Sequence, residues 1–183
     1  MHSDAYIVII SGNKMNDIVK IISEQTNVLF INMYEQINRA DLSCMIDNVN
    51  NSRFLFHMIH SMDKYFINPF DYDYSEVFNL IGIDEKYSII SESREGYIAA
   101  EGYVIPREKL VQYLDYVKEK INKYLLGLSD EDLSKKPDNC EYTRLQMILA
   151  QYRHSMFHCG MSEIATYDST DEWLNYTGLK YIP

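Results

Sequence analysis

Two histidines, His154 and His158, lie four residues apart in an apolar segment near the C-terminus. The chain has 183 residues and five histidines, so this pair is a large share of its imidazole groups. In a helix, a spacing of four places two side chains one above the other on the same face. A helix can offer two imidazole nitrogens to a single metal ion in this way. The pair therefore indicates a candidate metal site, although it does not identify a reaction.

A third ligand would have to come from elsewhere in the chain, where His57 and His60 form the other internal histidine pair. Both lie among apolar residues of a separate predicted helix. Burying three or four imidazoles is costly unless something pairs with them, and a metal ion would satisfy that need. The alternative is that each buried histidine makes a local hydrogen bond. The residues alone leave both interpretations open, and they do not choose between His57 and His60.

The first two predicted helices precede a long connection. Apolar residues at helical spacing indicate a first helix over about residues 16–40. Ser52 is a suitable N-cap for a second helix, which runs to about Asn68, where a proline stops it. The connection that follows spans residues 70–105 and is predicted to contain a short helix around residues 75–81.

The last two predicted helices have clear start signals. Pro106 is well placed as the first residue of a third helix, and Gly127 is a suitable stop at its end. Between them, apolar residues recur at intervals of three or four, which is typical of an amphipathic helix. Thr143 and Gln146 form a capping-box pattern that opens a fourth helix, which continues to about Tyr167.

The fourth predicted helix is apolar on two opposite sides, which is typical of a well-buried helix. One of these sides carries His154 and His158, so the pair is expected to face the protein interior or a cavity. Four long helices with one long crossover between the second and third are typical of a four-helix bundle. We therefore expect an all-α fold in a single domain covering residues 1–183.

The overall composition limits the partners and the compartment. A net charge of −10 argues against a nucleic-acid partner, because phosphate binding needs clustered Lys and Arg. No segment approaches the roughly 20 apolar residues that span a membrane, and the run Tyr6–Ile10 is too short for a secretion signal. The three cysteines are far apart and unpaired by any motif, which favours a reducing compartment. We expect a cytoplasmic protein without a membrane partner.

Two short motifs connect the histidines to a known family. His60-Ser-Met-Asp63 lies near the end of the second predicted helix, and His154-Ser-Met-Phe-His158-Cys-Gly160 lies on the fourth. In these motifs, their separation and the helix order, the chain resembles the DinB-like (YfiT-like) metal-dependent family over nearly its whole length. The resemblance implies a four-helix bundle of that type. It also implies a site for Ni²⁺ or Zn²⁺ formed by His60, His154 and His158.

The resemblance gives neighbouring residues secondary roles. His57 becomes a pocket neighbour of the ligands or a simply packed side chain. Asp63 is either a carboxylate that orients an imidazole, or an N–H acceptor or solvated helix charge. Gly160 is expected to allow close helix packing. The Cys159 thiol points about 100° away from His158 around the helix, so we expect it to be packed and inert.

Three functional interpretations remain, and the resemblance favours the first. The first is a metal-dependent S-transferase or detoxification enzyme that uses a low-molecular-weight thiol. The second is a hydrolase that uses metal-bound hydroxide. The third is a non-catalytic stress-response protein that only binds metal. The expected partner is a small-molecule substrate, and self-association into a homodimer is left open.

Overall fold

The computed structural model describes residues 17–94, 96–98 and 102–178. This part of the chain is mostly helical, which confirms the all-α prediction. The apolar run Tyr6–Ile10 lies outside the described residues. None of the described helices is both long and apolar enough to cross a lipid bilayer. The α-helices are α1 (Asp17–Arg39), α2 (Asn51–Tyr65), α3 (Ser75–Ile81), α4 (Arg107–Leu126) and α5 (Arg144–Thr170).

Local sequence signals account for most of the helix ends. Thr143 Oγ1 accepts a hydrogen bond from the Gln146 amide, and the Gln146 side chain accepts one from the Thr143 amide. The predicted capping box therefore opens α5, which continues three residues beyond Tyr167. α4 begins directly after Pro106 and ends directly before Gly127. α3 has the predicted range.

The start of α2 differs from the prediction by two residues. The N-cap is Asn50, whose side chain accepts a hydrogen bond from the Arg53 amide at 3.2 Å. Ser52 lies inside the first turn instead. Its hydroxyl donates a hydrogen bond to Asn50 Oδ1 and accepts one from the backbone amide of Ile105 at 2.8 Å. The Ser52 side chain therefore fixes the chain that enters α4, and the asparagine caps the helix.

A small hairpin between α1 and α2 was not predicted. β1 (Met45–Ile46) pairs antiparallel with β2 (Val49–Asn50). Asp47 in the turn has a φ of 54°, a left-handed conformation that aspartate tolerates better than most residues. Strands of two residues are too short to show alternation of apolar and polar side chains, so the sequence carries no periodic signal for them.

The hydrophobic core lies between the four long helices. α1 and α2 each pack against both α4 and α5, and the short α3 covers α4. The contact between α2 and α5 is the most extensive of these, so the helices that carry the two histidine pairs are direct neighbours. The side chains at the centre are completely buried: Met33, Ile37, Leu55, Phe56, Ile59, Leu114, Val117 and Ile121.

Candidate metal centre

Three histidines from α2 and α5 converge on one point. Each of His57, His154 and His158 offers a ring nitrogen, and these three atoms lie within 4.8 Å of one another. The Nε2 atoms of His154 and His158 are 2.9 Å apart. The predicted pairing of the two α5 histidines on one helix face is therefore present. The group is suited by its geometry to hold a metal ion.

The orientation of His57 is fixed from the side of the ring that faces away from α5. Its Nδ1 lies 2.6 Å from the carbonyl oxygen of Ser88. A carbonyl can only accept a hydrogen bond, so Nδ1 carries the proton and Nε2 keeps its lone pair. A backbone carbonyl in this position is a common way to fix the tautomer of a metal-binding histidine.

The loop that supplies the Ser88 carbonyl is held to α2 by Arg53. This arginine is almost completely buried, and its guanidinium donates to the carbonyls of Tyr87 and Ile89, at 3.3 and 2.7 Å. It also donates to the Ile98 carbonyl. Since Arg53 lies one turn before His57, the same face of α2 binds the loop and presents the imidazole. No sequence pattern predicts this contact, because it joins a side chain to loop carbonyls.

The three imidazole rings are packed edge to face. The ring centroids of His154 and His158 are 4.4 Å apart, and His57 lies 5.3 and 4.9 Å from them. Phe54, one turn before His57, places its ring 4.7 Å from His158. His158 is only 4% exposed. This aromatic contact restricts rotation of the imidazole rings at the α2–α5 contact.

All three histidines are held in the neutral form. Burial is the main cause that lowers the pKa of His57 to about 4. The charges of His154, His60 and Arg94 lower this pKa as well, whereas the hydrogen bond to Ser88 raises it. Burial lowers the pKa of His158 to about 3, with the two neighbouring histidines as further causes. Burial and then the charge of Arg94 lower the pKa of His154. Neutral imidazoles have the free lone pairs that metal binding requires.

The hydrogen bonding of the α5 pair is incomplete. Within the described part of the chain, Nδ1 of His154 and Nδ1 of His158 are buried and have no hydrogen-bond partner. The facing Nε2 atoms can satisfy each other only if one of them carries a proton. A cation between the Nε2 lone pairs would remove that constraint. Three neutral imidazoles are also a donor set that Zn²⁺ and Ni²⁺ accept.

His60 does not join this group. His57, which the resemblance made only a neighbour of the ligands, is the α2 histidine that lies close to the α5 pair. The Nε2 atom of His60 lies 2.8 Å from Oε1 of Glu85, and Lys64 approaches the same oxygen at 3.7 Å. The His60 ring packs against Tyr72 and Tyr74, with centroids 5.4 and 5.9 Å away. Two helical residues three apart differ by about 60° in direction. That difference turns His57 toward α5 and His60 toward Glu85.

Asp63 is an N–H acceptor rather than a solvated helix charge, and no histidine of the described residues donates a hydrogen bond to it. Its side chain is completely buried and accepts hydrogen bonds from Lys120 Nζ at 2.6 Å and from the Tyr113 hydroxyl at 3.1 Å. These partners lie on α4, so the carboxylate joins α2 to α4 on the side away from the three histidines. The orienting role expected for Asp63 belongs to the Ser88 carbonyl.

Two open pockets border the three histidines. The first, about 680 Å³, is lined by His57 and His154 together with His60. The second, about 650 Å³, is lined by all three converging histidines. Arg94 lines both pockets. Small molecules can therefore approach the histidines from the surface, as a site that exchanges ligands would require.

Of the predictions for the two residues that follow His158, one is confirmed and the other is wrong. Cys159 is 3% exposed, its Sγ lies 3.7 Å from the sulfur of Met58, and burial raises the pKa of its thiol to about 12. The prediction of a packed, inert thiol is confirmed. The prediction that Gly160 allows close packing is wrong, because a Cβ built there meets no atom within 4 Å.

No family model, curated protein or solved structure matches this chain. The resemblance to the DinB-like family therefore depends on the two histidine motifs and the helix order alone. What the site can do follows from its own atoms.

Proposed function

We propose that this protein is a metal-dependent enzyme that holds one divalent ion, Ni²⁺ or Zn²⁺, on His57, His154 and His158. The observation that carries the proposal is the convergence of three neutral imidazoles from two helices, one of them fixed by the Ser88 carbonyl. The Nε2 atoms of His154 and His158 face each other at 2.9 Å, so in a chain that only buried its histidines one of them would have to carry a proton. A cation between the two lone pairs would remove that need, which supports the metal-binding interpretation.

The proposal includes the fold type. The packing of α1 and α2 against both α4 and α5 supports a four-helix bundle of the DinB-like type. The long connection between α2 and α4 supports it as well, since it contains α3 and a short 3₁₀ turn, Glu85–Ser88. In this arrangement the crossover supplies the Ser88 carbonyl to His57, so the connection is part of the site.

The proposed reaction is the transfer of a low-molecular-weight thiol to a small substrate: the thiol loses its proton to solvent, its sulfur forms a bond to a substrate carbon, and the leaving group departs from that carbon with the electron pair of the broken bond. When bound, the ion would supply a positive centre that favours the thiolate over the thiol. The chain itself would contribute three things. The histidines hold the ion, the aromatic contact of Phe54 with His158 keeps the rings in place, and the two pockets admit the reactants. Cys159 is excluded as a nucleophile by its burial.

The second candidate is hydrolysis, and the His60–Glu85 pair favours it. His60 lines the same pocket as His57 and His154, and Glu85 holds its Nε2 at 2.8 Å. A histidine oriented by a carboxylate is a common proton acceptor. In a hydrolase, His60 would accept the proton of the attacking water, and the charge of Glu85 would stabilise the resulting imidazolium.

Loading with Co²⁺ separates these candidates, because the visible spectrum of Co²⁺ responds to the atoms bound to it. We expect the protein to take up Co²⁺ and the spectrum to shift when a small thiol is added, with a sulfur-to-metal band. Uptake without any change on adding thiols would contradict thiol transfer and leave hydrolysis or a non-catalytic role. A failure to take up Co²⁺, Ni²⁺ or Zn²⁺ would contradict the metal site itself.

A further inference from the structure

We propose that the pocket of about 680 Å³ beside His57 and His154 binds a small organic anion, whose negative charge lies between Lys86 and Arg94. The volume is in the usual range for a small-molecule site. The proposal rests on the proposed function in one respect only, namely that the other end of the ligand reaches the three histidines. The recognition of the anion depends on the charges of the pocket alone.

The charge of the pocket lining is opposite to that of the whole chain. The chain carries a net charge of −10, whereas three of the four charged side chains that line this pocket are cationic: Lys64, Lys86 and Arg94. The fourth is Glu85, and its carboxylate already contacts His60 and Lys64. Since acidic residues outnumber basic ones overall, such a lining is the reverse of what an average surface of this chain would have.

Two of the three cations remain available to a ligand. Among the described residues, neither Lys86 nor Arg94 forms an ion pair, whereas Lys64 is engaged by Glu85 and lies over the ring of Tyr72. Lys86 is placed next to Glu85 in the 3₁₀ turn, and its backbone is capped by Asp84. The same turn provides the carbonyl that orients His57, so the cationic side of the pocket and the metal site share one element.

Arg94 lies beside the histidines. It lines this pocket together with His57 and His154, and it also lines the neighbouring pocket with all three converging histidines. A ligand anion between Arg94 and Lys86 would therefore lie beside the histidines, within the same pocket. The apolar side chains of Ile89 and Ala150 complete the wall and suit the carbon atoms between the two ends of a ligand.

The neighbouring pocket is less suited to an anion. The pocket of about 650 Å³ also contains Arg94, but it adds the carboxylates of Asp47 and Glu92. A negative ligand would be repelled there and attracted on the other side of the histidines. The two pockets thus differ in charge, and we assign the anionic reactant to the first one.

The test compares two thiols that differ in charge and little else, 3-mercaptopropionate and 3-mercapto-1-propanol. Their dissociation constants are measured by NMR chemical shifts of the protein, once with Zn²⁺ and once without any metal. We expect the carboxylate to bind about tenfold more tightly than the alcohol in both states, since only the carboxylate can form the two partly exposed ion pairs. The shifts should centre on the amides of Lys86 and Arg94.

Two double variants decide whether the pocket or the overall charge is responsible. In Lys86→Gln with Arg94→Gln, the preference for the carboxylate should fall to about twofold or less. The matched control is Lys123→Gln with Lys136→Gln, which removes two exposed positive charges that do not line the pocket and should keep the wild-type preference. Equal affinities of the two thiols for the wild-type protein would overturn the proposal, as would the same loss in both double variants.

The outcomes separate this proposal from the metal site. A preference for the carboxylate in metal-free protein, together with no uptake of Zn²⁺, would support the anion site and contradict the proposed function. Uptake of Zn²⁺ with no preference between the two thiols would support the metal site and overturn the anion site.

Discussion

The two histidines of α2 lie one turn apart but belong to different environments. His57 faces two further imidazoles and a backbone carbonyl, and its Nε2 carries a free lone pair. His60 faces Glu85, with Lys64 beside it. One turn later, Asp63 is neutralised by Lys120 on α4. The half of α2 that faces α5 thus gathers neutral nitrogen donors, whereas the other half gathers opposite charges that satisfy each other.

This difference separates a group that can bind a cation from groups that already have partners. A buried carboxylate with an ammonium at 2.6 Å has its charge compensated within the fold. Three buried or half-buried imidazoles, two of which face each other through Nε2 at 2.9 Å, can instead share an external cation. Membership of a sequence motif is therefore a weaker criterion for a metal ligand than the contacts that each side chain already makes.

The largest expected effect is the loss of metal on removal of a converging histidine. His57→Ala or His158→Ala leaves two ligands, so we expect the affinity for Zn²⁺ to fall by more than about 100-fold. This loss is larger than the loss expected when a residue that only hydrogen-bonds a ligand is removed. Competition with a chromophoric chelator measures the constants. An unchanged affinity in His57→Ala would mean that His57 only packs beside the site.

The next largest effect is on the free energy of unfolding, and the affinity for Zn²⁺ should stay the same. Asp63→Ala leaves Lys120 and the Tyr113 hydroxyl without their acceptor, so we expect the free energy of unfolding to fall by about 2–3 kcal/mol. Urea unfolding of metal-free protein measures this, and Tyr113→Phe, which removes one of the two hydrogen bonds, should cost about 1 kcal/mol. A drop in Zn²⁺ affinity comparable to that of His57→Ala would show that Asp63 acts on the site.

The sequence predicted the helices more fully than the site. The capping box at Thr143, the range of α3 and the shared face of His154 and His158 all follow from local patterns, and the structure contains them. The choice between His57 and His60 depends on a rotation of about 60° around α2, which an apolar run on all sides of the helix cannot resolve.

The remaining gaps are long-range contacts. The Ser88 carbonyl and the Arg53 contacts that place it join residues more than 30 positions apart through backbone atoms, and backbone atoms leave no signature in residue types. The same holds for the ion pair between Lys120 and Asp63, which joins two helices. A charged residue on a predicted helix does not indicate which residue of another helix will pair with it. The residue pattern therefore indicated His154 and His158, and it did not determine which histidine of α2 lies beside them.

A smaller effect is the dependence of stability on pH in metal-free protein. The pKa values of His57 and His158 are lowered to about 4 and about 3, below about 6.5 for free imidazole. As the pH falls below about 6.5, the unfolded chain takes up these protons before the folded one, so folding loses stability. We expect the free energy of unfolding to decrease by about 1–3 kcal/mol between pH 6.5 and pH 4.5.

Chemical unfolding at a series of pH values checks this expectation. The double variant His57→Gln with His158→Gln is the control, and its stability should decline less over the same range. An equal decline in the wild type and the variant would assign the pH dependence to other groups. Bound metal should be released over the same range, because protons compete for the ligand nitrogens.

The smallest expected effect is that of His60→Gln. Glutamine can still donate a hydrogen bond to Glu85, and the three converging histidines are untouched, so we expect the Zn²⁺ affinity to change by less than about threefold. The measurement is the same chelator competition as for His57→Ala, and Glu85→Gln serves as a second variant of the pair. A loss as large as that of His57→Ala would restore His60 as a ligand.

The most direct test of the central claim is X-ray absorption on Zn²⁺-loaded protein, combined with metal analysis of the same sample. The arrangement of His57, His154 and His158 predicts one ion per chain with three imidazole nitrogens in its coordination shell. No retained ion, or a shell without three imidazoles, would contradict it.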